Sequence, residues 1–222
     1  MCEDYLTDKN IKSKADRWIS NLNISGSRLE NFFLNPKKSA LLVVDMQNFF
    51  LNKKSHAFIP AAITISSNIN MLIKEFRKKN FPIIYTYHAY KKNEDPGIMD
   101  KWWGDVLRID NPLSKIHKSI DWNKSDITLR KIRYSAFIGT DLDNLLKKLN
   151  LDTLVITGVM THLCCETTAR DAFMKDYNVY FVVDATATDK ESLHISSLNT
   201  LSDGFAIPIK TESILEVIKN LE

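Results

Sequence analysis

The sequence is poor in cysteine, in excess charge and in long apolar runs. Three cysteines among 222 residues, without the spacing of a disulfide framework, favour a reducing compartment and predict a cytoplasmic protein. Lys and Arg total 30 against 27 for Asp and Glu, and no basic stripe with interleaved aromatics is present, so we expect no nucleic-acid partner. The longest apolar runs, such as SALLVVD, are too short to cross a bilayer, and the polar start MCEDYLTDKN is not typical of a secretory signal, so we expect no membrane partner.

What the sequence does contain is a regular alternation of short apolar segments and helical patterns. The segments of strand type cover residues 39–45, 82–88, 127–133, 152–159, 178–184 and 204–209. Most of them are continuously apolar, as in strands that are covered on both faces. Apolar residues recur at helical spacing over 65–76, 142–149 and 214–221. The pattern predicts an α/β, three-layer Rossmann-like fold, a mostly parallel sheet of about six strands with helices on both faces.

Two parts of the chain stand outside this alternation. Residues 1–38 are polar and irregular, and we predict an N-terminal arm there, before a domain over 39–222. Residues 89–126 form a long connection that carries three tryptophans, among them Trp102 and Trp103. Connections of this length are usually functional or disordered, and tryptophans argue against disorder. We therefore expect this connection to form a lid or one wall of a pocket.

Three chemically distinct side chains are predicted to meet at one edge of the sheet. Asp45 ends the first strand, Lys131 lies near the end of the third, and Cys164 follows the fourth at the start of a helical pattern. Each of the three also has an ordinary structural explanation when it is considered alone. The aspartate can cap a turn, the lysine can be a solvated surface charge, and the cysteine can be a small buried apolar residue. Ligands bind at the carboxyl ends of the strands in open parallel sheets. The three together therefore predict a catalytic site.

The chemistry of these groups is complementary. A helix N-terminus and a neighbouring lysine are both expected to lower the pKa of a thiol such as Cys164. The thiolate attacks an electrophilic carbon while backbone N–H groups stabilise the oxyanion. Asp45 takes the thiol proton and gives it to the leaving nitrogen, and Lys131 keeps Asp45 ionised and oriented.

Three segments of the sequence resemble the isochorismatase-like hydrolases, which include nicotinamidases, N-carbamoylsarcosine amidases, ureidoacrylate hydrolases and true isochorismatases. The segments are ALLVVDMQNFF at 40–50, KIRYSAF at 131–137 and ITGVMTHLCCETTARDAFMKD at 156–176. For the amide-cleaving members, the resemblance implies a catalytic triad of Asp45, Lys131 and Cys164. It also implies a cis peptide bond between Val159 and Met160, which with Cys164 aims backbone groups at the oxyanion. The resemblance further implies a homo-oligomer, either a dimer or a tetramer.

The pocket and the cofactor requirement are predicted from the same comparison of patterns. The candidate pocket residues are Phe50, His88, Trp102, Trp103, Tyr134 and His162. The stretch TYHAY at 86–90 lacks the Asp and His of the metal-binding nicotinamidases, and the other histidines show no ligand spacing, so we predict no metal and no other cofactor. Cys165 is expected to be a buried packing residue, and Cys2 to have no chemical role.

Three functions stay open from the sequence, and the first two act on a small-molecule substrate. Cys164 fits an amidase that cleaves a C–N bond of a small amide or ureido substrate. The segment DKWWGDVL at 100–107 resembles the true isochorismatases, which protonate a vinyl ether with the same aspartate and carry Gly in place of Cys164. A non-catalytic member that binds a ligand or a partner protein is the third.

Overall fold

The fold is built on one parallel sheet. The computed structural model describes residues 2–22, 24 and 32–221. Within them six strands pair in parallel in the order β3-β2-β1-β4-β5-β6. In chain order the strands are β1 (Ser39–Val44), β2 (Ile83–His88), β3 (Ile127–Lys131), β4 (Thr153–Val159), β5 (Asn178–Ala187) and β6 (Ile207–Ile209). The predicted α/β fold is confirmed.

Helices surround this sheet. They are α1 (Ile11–Ser20), α2 (Asn48–Leu51), α3 (Pro60–Lys78), α4 (Ile98–Trp103), α5 (Leu142–Lys148), α6 (Glu166–Phe173), α7 (Glu191–Gly204) and α8 (Thr211–Lys219). All residues of β1 and β4 are buried, which accounts for their continuously apolar sequences. Helix α3 buries the face on which Ile65, Ile69 and Phe76 recur. None of the helices in the described ranges is long and apolar enough to cross a membrane.

The order of the strands determines where a ligand site forms. The chain builds β1, β2 and β3 outward in one direction, and β4 then returns to the other side of β1. In open parallel sheets this reversal leaves a crevice at the carboxyl ends of the strands that flank it, here β1 and β4. The loops that follow these two strands are therefore the place for a site.

Several of the described N-terminal residues contribute to the core. Leu6, Ala15 and Trp18 are buried, and α1 packs against β5. The Trp18 indole N–H donates a hydrogen bond of 3.1 Å to Glu191 at the start of α7. The structure thus differs from the arm predicted over 1–38, because the apolar face of α1 covers a sheet strand instead of lying outside the domain.

The long connection after β2 is ordered by polar contacts with the end of β1. The side-chain amide of Gln47 donates to the carbonyl oxygens of His88, at 3.1 Å, and Ser114, at 2.7 Å. The backbone N–H of His88 returns a hydrogen bond of 2.8 Å to Gln47 Oε1. These contacts hold the connection against the carboxyl edge of the sheet, where a pocket wall was expected.

Gly158 in β4 leaves no room for a side chain. Its φ is +107°, and a Cβ atom there would lie 2.0 Å from the carbonyl oxygen of Val44. We expect Gly158→Ala to lower the free energy of unfolding by about 3 kcal/mol or more, measured by urea denaturation. Gly104→Ala is the matched control, because Gly104 also has a positive φ, +64°, but faces open space. A loss no greater than the roughly 1 kcal/mol expected at Gly104 would contradict this prediction.

Candidate active site

Three side chains meet at the carboxyl edge of the sheet. Asp45 directly follows β1, and Lys131 is the last residue of β3. Cys164 lies in the π-helical turn Thr161–Cys165, which joins β4 to α6. Lys131 Nζ is 2.7 Å from Asp45 Oδ2 and donates a hydrogen bond of 3.1 Å to Cys164 Sγ. The structure thus brings together the carboxylate, the ammonium and the thiol that the sequence placed at this edge.

The ion pair is held from several sides. The side chains of Asp45 and Lys131 are both 0% exposed. Thr86 Oγ1 donates a hydrogen bond of 2.7 Å to Asp45 Oδ1, and Lys131 Nζ donates to the carbonyl oxygen of Arg133 at 3.0 Å. Beyond the ion pair, Asp45 Oδ2 has no hydrogen-bond partner in the described part of the chain. One carboxylate oxygen is therefore fixed by a hydroxyl while the other remains able to accept a proton.

The backbone at Asp45 is itself strained. Its φ is +50°, in the left-handed region that residues other than glycine rarely adopt. Such strain persists where the surrounding structure imposes it, and it is concentrated at functional sites. Here two hydrogen bonds impose it, since the Asp45 backbone N–H is 3.2 Å from the carbonyl oxygen of Thr86 and 3.3 Å from its hydroxyl.

Burial reverses the expected pKa of the nucleophile. Loss of solvent raises the pKa of Cys164 to about 12. Lys131 acts to lower this pKa and the Asp45 carboxylate to raise it, but burial has the largest effect. For Lys131 burial acts to lower the pKa, but Asp45 and Cys164 outweigh it and raise the pKa. The expectation of a lowered thiol pKa therefore fails in the free protein. Cys164 is a neutral thiol beside a carboxylate that can take its proton.

This protonation state predicts a distinctive alkylation profile. A thiol with a raised pKa is expected to react with iodoacetamide at a rate that rises about tenfold per pH unit from pH 7 to 10, because the thiolate fraction does so. Mass spectrometry of the native protein separates Cys164 from Cys2, which is exposed. A plateau in the Cys164 rate below about pH 8 would mean that the thiolate already exists in the free protein, contrary to this prediction.

The turn that carries Cys164 is tightly bonded. The peptide bond between Val159 and Met160 is cis, as the resemblance implied. The backbone N–H groups of Leu163 and Cys165 both donate to the carbonyl oxygen of Met160, each at 3.1 Å. Cys165 is fully buried with its Sγ 3.9 Å from the carbonyl oxygen of Thr157, in the packing role expected for it.

A cavity of about 310 Å³ opens onto Asp45 and Cys164. Its apolar wall consists of Phe49, Phe50, Ala57, Ile59, Met99, Trp103, Leu107, Tyr134, Met160 and Leu163. Its other polar residues are Cys2, His56, His88, Asp105 and Asp189. No lysine or arginine belongs to this wall among residues 2–22, 24 and 32–221. A larger groove of about 520 Å³ between the ends of α6, α7 and β6 is remote from the three reactive groups.

Four of the six predicted pocket residues line the cavity, namely Phe50, His88, Trp103 and Tyr134. Trp102 does not, and it is 74% exposed. Adjacent residues of a helix point in different directions, so α4 can place only one of its two tryptophans in the wall. His162 also lies outside the wall, and its Nδ1 is 2.7 Å from Thr188 Oγ1.

Two aromatic residues of the cavity wall, Trp103 and Tyr134, are hydrogen-bonded to each other. The Trp103 indole N–H donates a hydrogen bond of 2.7 Å to the Tyr134 hydroxyl, which ties α4 to the loop after β3.

His88 in the cavity wall is a neutral imidazole. Burial, followed by the charge of Lys131, lowers the pKa of His88 to about 4. Within the described residues, no group of three or more His, Cys, Asp or Glu side chains is arranged to hold a metal ion.

The sequence interpretation missed several wall residues, among them the four polar ones Cys2, His56, Asp105 and Asp189. Asp189 follows the end of β5 by two residues, so the strand-end rule that selected Asp45 also applies to it. Asp105 lies in the long connection, where no local pattern distinguishes it. Cys2 carried no signal, because only the packing of the N-terminal residues brings it to the cavity.

Comparisons with known proteins agree with this geometry. The family model of the Isochorismatase domain matches residues 39–213. Nicotinamidase 3 of Arabidopsis thaliana is 38% identical over 183 residues, which cover 81% of this chain and 88% of that protein. Isochorismatase of Bacillus subtilis (strain 168) is 32% identical over 84% of this chain, which spans 60% of that relative. The crystal structure of a cysteine hydrolase from Pseudomonas syringae pv. phaseolicola 1448A superposes with a TM-score of 0.80 at 26% identity, covering 85% of this chain and 95% of that one.

Proposed function

The chain belongs to the isochorismatase family of hydrolases, and from this premise we propose that it cleaves a C–N bond of a small amide or ureido substrate with Cys164 as nucleophile. The observation that carries the proposal is the contact of Lys131 Nζ with both Asp45 and Cys164. A vinyl ether hydrolase needs a general acid but no nucleophile, whereas amide hydrolysis uses all three groups. The name of the nicotinamidase relative also supports amide chemistry.

In the proposed mechanism Asp45 moves the proton. It takes the proton of the Cys164 thiol as the sulfur attacks the carbonyl carbon, and a tetrahedral oxyanion forms. Asp45 then protonates the leaving nitrogen, so that ammonia or an amine departs and a thioester remains on Cys164. Water adds to the thioester, Asp45 accepts its proton, and the acid leaves as the sulfur regains a proton.

Lys131 and the turn before α6 stabilise the charges that develop. Negative charge passes from Asp45 to the sulfur and to the oxyanion, and the Lys131 ammonium lies 2.7 Å from Asp45 and 3.1 Å from Cys164 in the free protein. In a water-excluded site such a preorganised charge has its greatest effect on the transition state. We assign the oxyanion to the backbone N–H groups of Met160 and Cys164, in the turn that follows Val159.

The second candidate is isochorismatase-type hydrolysis of a vinyl ether with Asp45 as general acid, which the Bacillus subtilis relative favours. Isochorismate carries two carboxylates, and a site that binds it needs cations to pair with them. The described cavity wall has instead two carboxylates, Asp105 and Asp189, and no lysine or arginine. This charge distribution disfavours a dianion and supports the amide proposal.

A parallel assay separates the candidate functions. Ammonia release from nicotinamide and benzamide is measured beside consumption of isochorismate, with the same enzyme preparation. We expect turnover of an amide and none of isochorismate. Turnover of isochorismate alone would overturn the proposal in favour of vinyl ether hydrolysis. Binding of these compounds without any turnover would overturn it in favour of a non-catalytic protein.

A further inference from the structure

The polar wall of the active-site cavity contains two carboxylates that the proposed mechanism does not use, Asp105 and Asp189. Asp189 lines the same cavity as Cys164 and Asp45, in the loop between β5 and α7. We propose that Asp189 is a specificity-determining residue that selects small amides with a positive charge away from the scissile bond. This inference rests on the proposed amide hydrolysis and adds the substrate class.

Asp189 is held in place by a chain of hydrogen bonds. Thr188 Oγ1 donates to Asp189 Oδ1 at 3.1 Å, and His162 Nδ1 lies 2.7 Å from the same hydroxyl. A hydroxyl has a single proton, so His162 must be the donor in the second contact. Burial lowers the pKa of His162, so its ring is neutral and leaves the charge of Asp189 uncompensated. The backbone is fixed as well, since the Glu3 N–H donates to the Asp189 carbonyl oxygen at 2.8 Å.

The charge of Asp189 has no partner in the described part of the chain. The other carboxylate of the wall, Asp105, pairs with His56, whose Nε2 is 3.1 Å from its Oδ2. In the described residues Asp189 has no such contact with a histidine, lysine or arginine side chain, and Lys190 beside it is exposed and outside the wall. The Lys131 ammonium, which contacts Asp45 and Cys164 in the cavity, is itself fully buried and already paired with Asp45.

The effect of this charge is visible on a neighbour in the cavity. The pKa of Cys2 is raised, first by its partial burial and then by the Asp189 carboxylate, and the charge of Lys190 offsets only part of this rise. A cleft lined by one sign of charge concentrates ligands of the opposite sign. With apolar rings on the remaining wall, the cavity favours a flat, apolar amide that ends in a cation, and disfavours an anionic one.

Three probes of one shape test this charge preference. They are the 1-methyl-3-carbamoylpyridinium cation, neutral 3-methylbenzamide and anionic 3-carbamoylbenzoate. We expect kcat/KM to fall in that order for the wild type. In Asp189→Asn the advantage of the cation over the neutral amide is expected to shrink about tenfold, through KM with kcat retained. Asp100→Asn removes one carboxylate from an exposed position outside the cavity and is expected to leave the order unchanged.

The outcomes distinguish this inference from the proposed function. Circular dichroism shows whether Asp189→Asn is folded, and measurable hydrolysis of 3-methylbenzamide by the wild type and by Asp189→Asn shows that the amide chemistry stands. If the wild type then hydrolyses the anion as well as the cation, or if Asp189→Asn leaves their ratio unchanged, the role of Asp189 is refuted alone. If no probe or other amide is hydrolysed, the proposed function fails, and this inference fails with it.

Discussion

Replacing Cys164 by alanine is expected to lower kcat/KM for amide hydrolysis by about 10⁴-fold or more. Without the thiol no thioester forms, and the remaining groups can only polarise water in a cavity shaped for direct attack. Cys164 packs with the core at 7% exposure, so the smaller side chain leaves the fold intact by circular dichroism. Steady-state ammonia release from the best amide substrate measures the loss.

Cys165→Ala provides the matched control. It removes a thiol from the adjacent position of the same turn, and that thiol is fully buried away from the cavity. We expect activity within a few-fold of wild type and a loss of roughly 1 kcal/mol in stability from the small void. Mass spectrometry of wild type mixed rapidly with substrate should find the acyl group on the peptide that contains Cys164. Retained amide activity in Cys164→Ala, together with its loss in Asp45→Ala, would contradict the nucleophilic mechanism.

The positions of the reactive groups could be predicted from the sequence, because they lie at the ends of strands whose pattern is recognisable there. Asp45 ends an apolar strand segment and Lys131 lies near the end of another segment of strand type, and parallel strands bring their carboxyl ends to one edge. The segments around them and around Cys164 also carry the resemblance to the family, and the sheet and the family model agree with both. What the pattern specifies is which strand a residue ends, and that was sufficient to predict that Asp45, Lys131 and Cys164 lie together at one edge of the sheet.

Properties that depend on burial in three dimensions were not readable in this way. The pKa of Cys164 was expected to fall because a helix N-terminus and Lys131 are visible in the sequence, whereas the desolvation that raises it is not. The choice between Trp102 and Trp103 depends on the rotation of a six-residue helix. Asp189 reaches the cavity through a loop whose course is fixed by contacts with the N-terminal residues, which are far away in the chain.

Replacing Lys131 by methionine is expected to abolish amide hydrolysis and to lower the free energy of unfolding by about 3–5 kcal/mol. The methionine removes the ammonium and leaves Asp45 as a buried carboxylate with no ion pair, stabilised on one oxygen by Thr86. The loss is measured by urea denaturation at pH 7. A change below about 1 kcal/mol would show that the carboxylate is already neutral or hydrated in the wild type.

A second substitution separates stability from catalysis. Asp45→Asn combined with Lys131→Met removes both charges while keeping a side chain of similar size that Thr86 can still contact. We expect the double variant to regain most of the lost stability, since a neutral buried pair avoids the desolvation of two ions. It should remain inactive, because no group is left to move the proton. Recovery of activity along with stability would mean that the ion pair acts only as a structural element.

The dependence of this stability on pH has a definite sign. The pKa of Lys131 is raised above its ordinary value of 10.5, so its ion pair contributes fully below that pH and the contribution is lost as pH rises through the raised value. The raised pKa of Cys164 also makes the folded protein less stable as the pH rises, and this would be added to the effect of Lys131. Both proteins in the comparison therefore carry Cys164→Ala, so that only the ion pair differs between them. The two proteins are Cys164→Ala and the triple variant Cys164→Ala, Asp45→Asn, Lys131→Met. We expect the difference between their free energies of unfolding to stay constant from pH 7 to 9. Above about pH 10.5 the protein that keeps Asp45 and Lys131 should lose stability relative to the triple variant. The reason is that Lys131 stays protonated in the folded state at a pH where the lysine of the unfolded chain releases its proton.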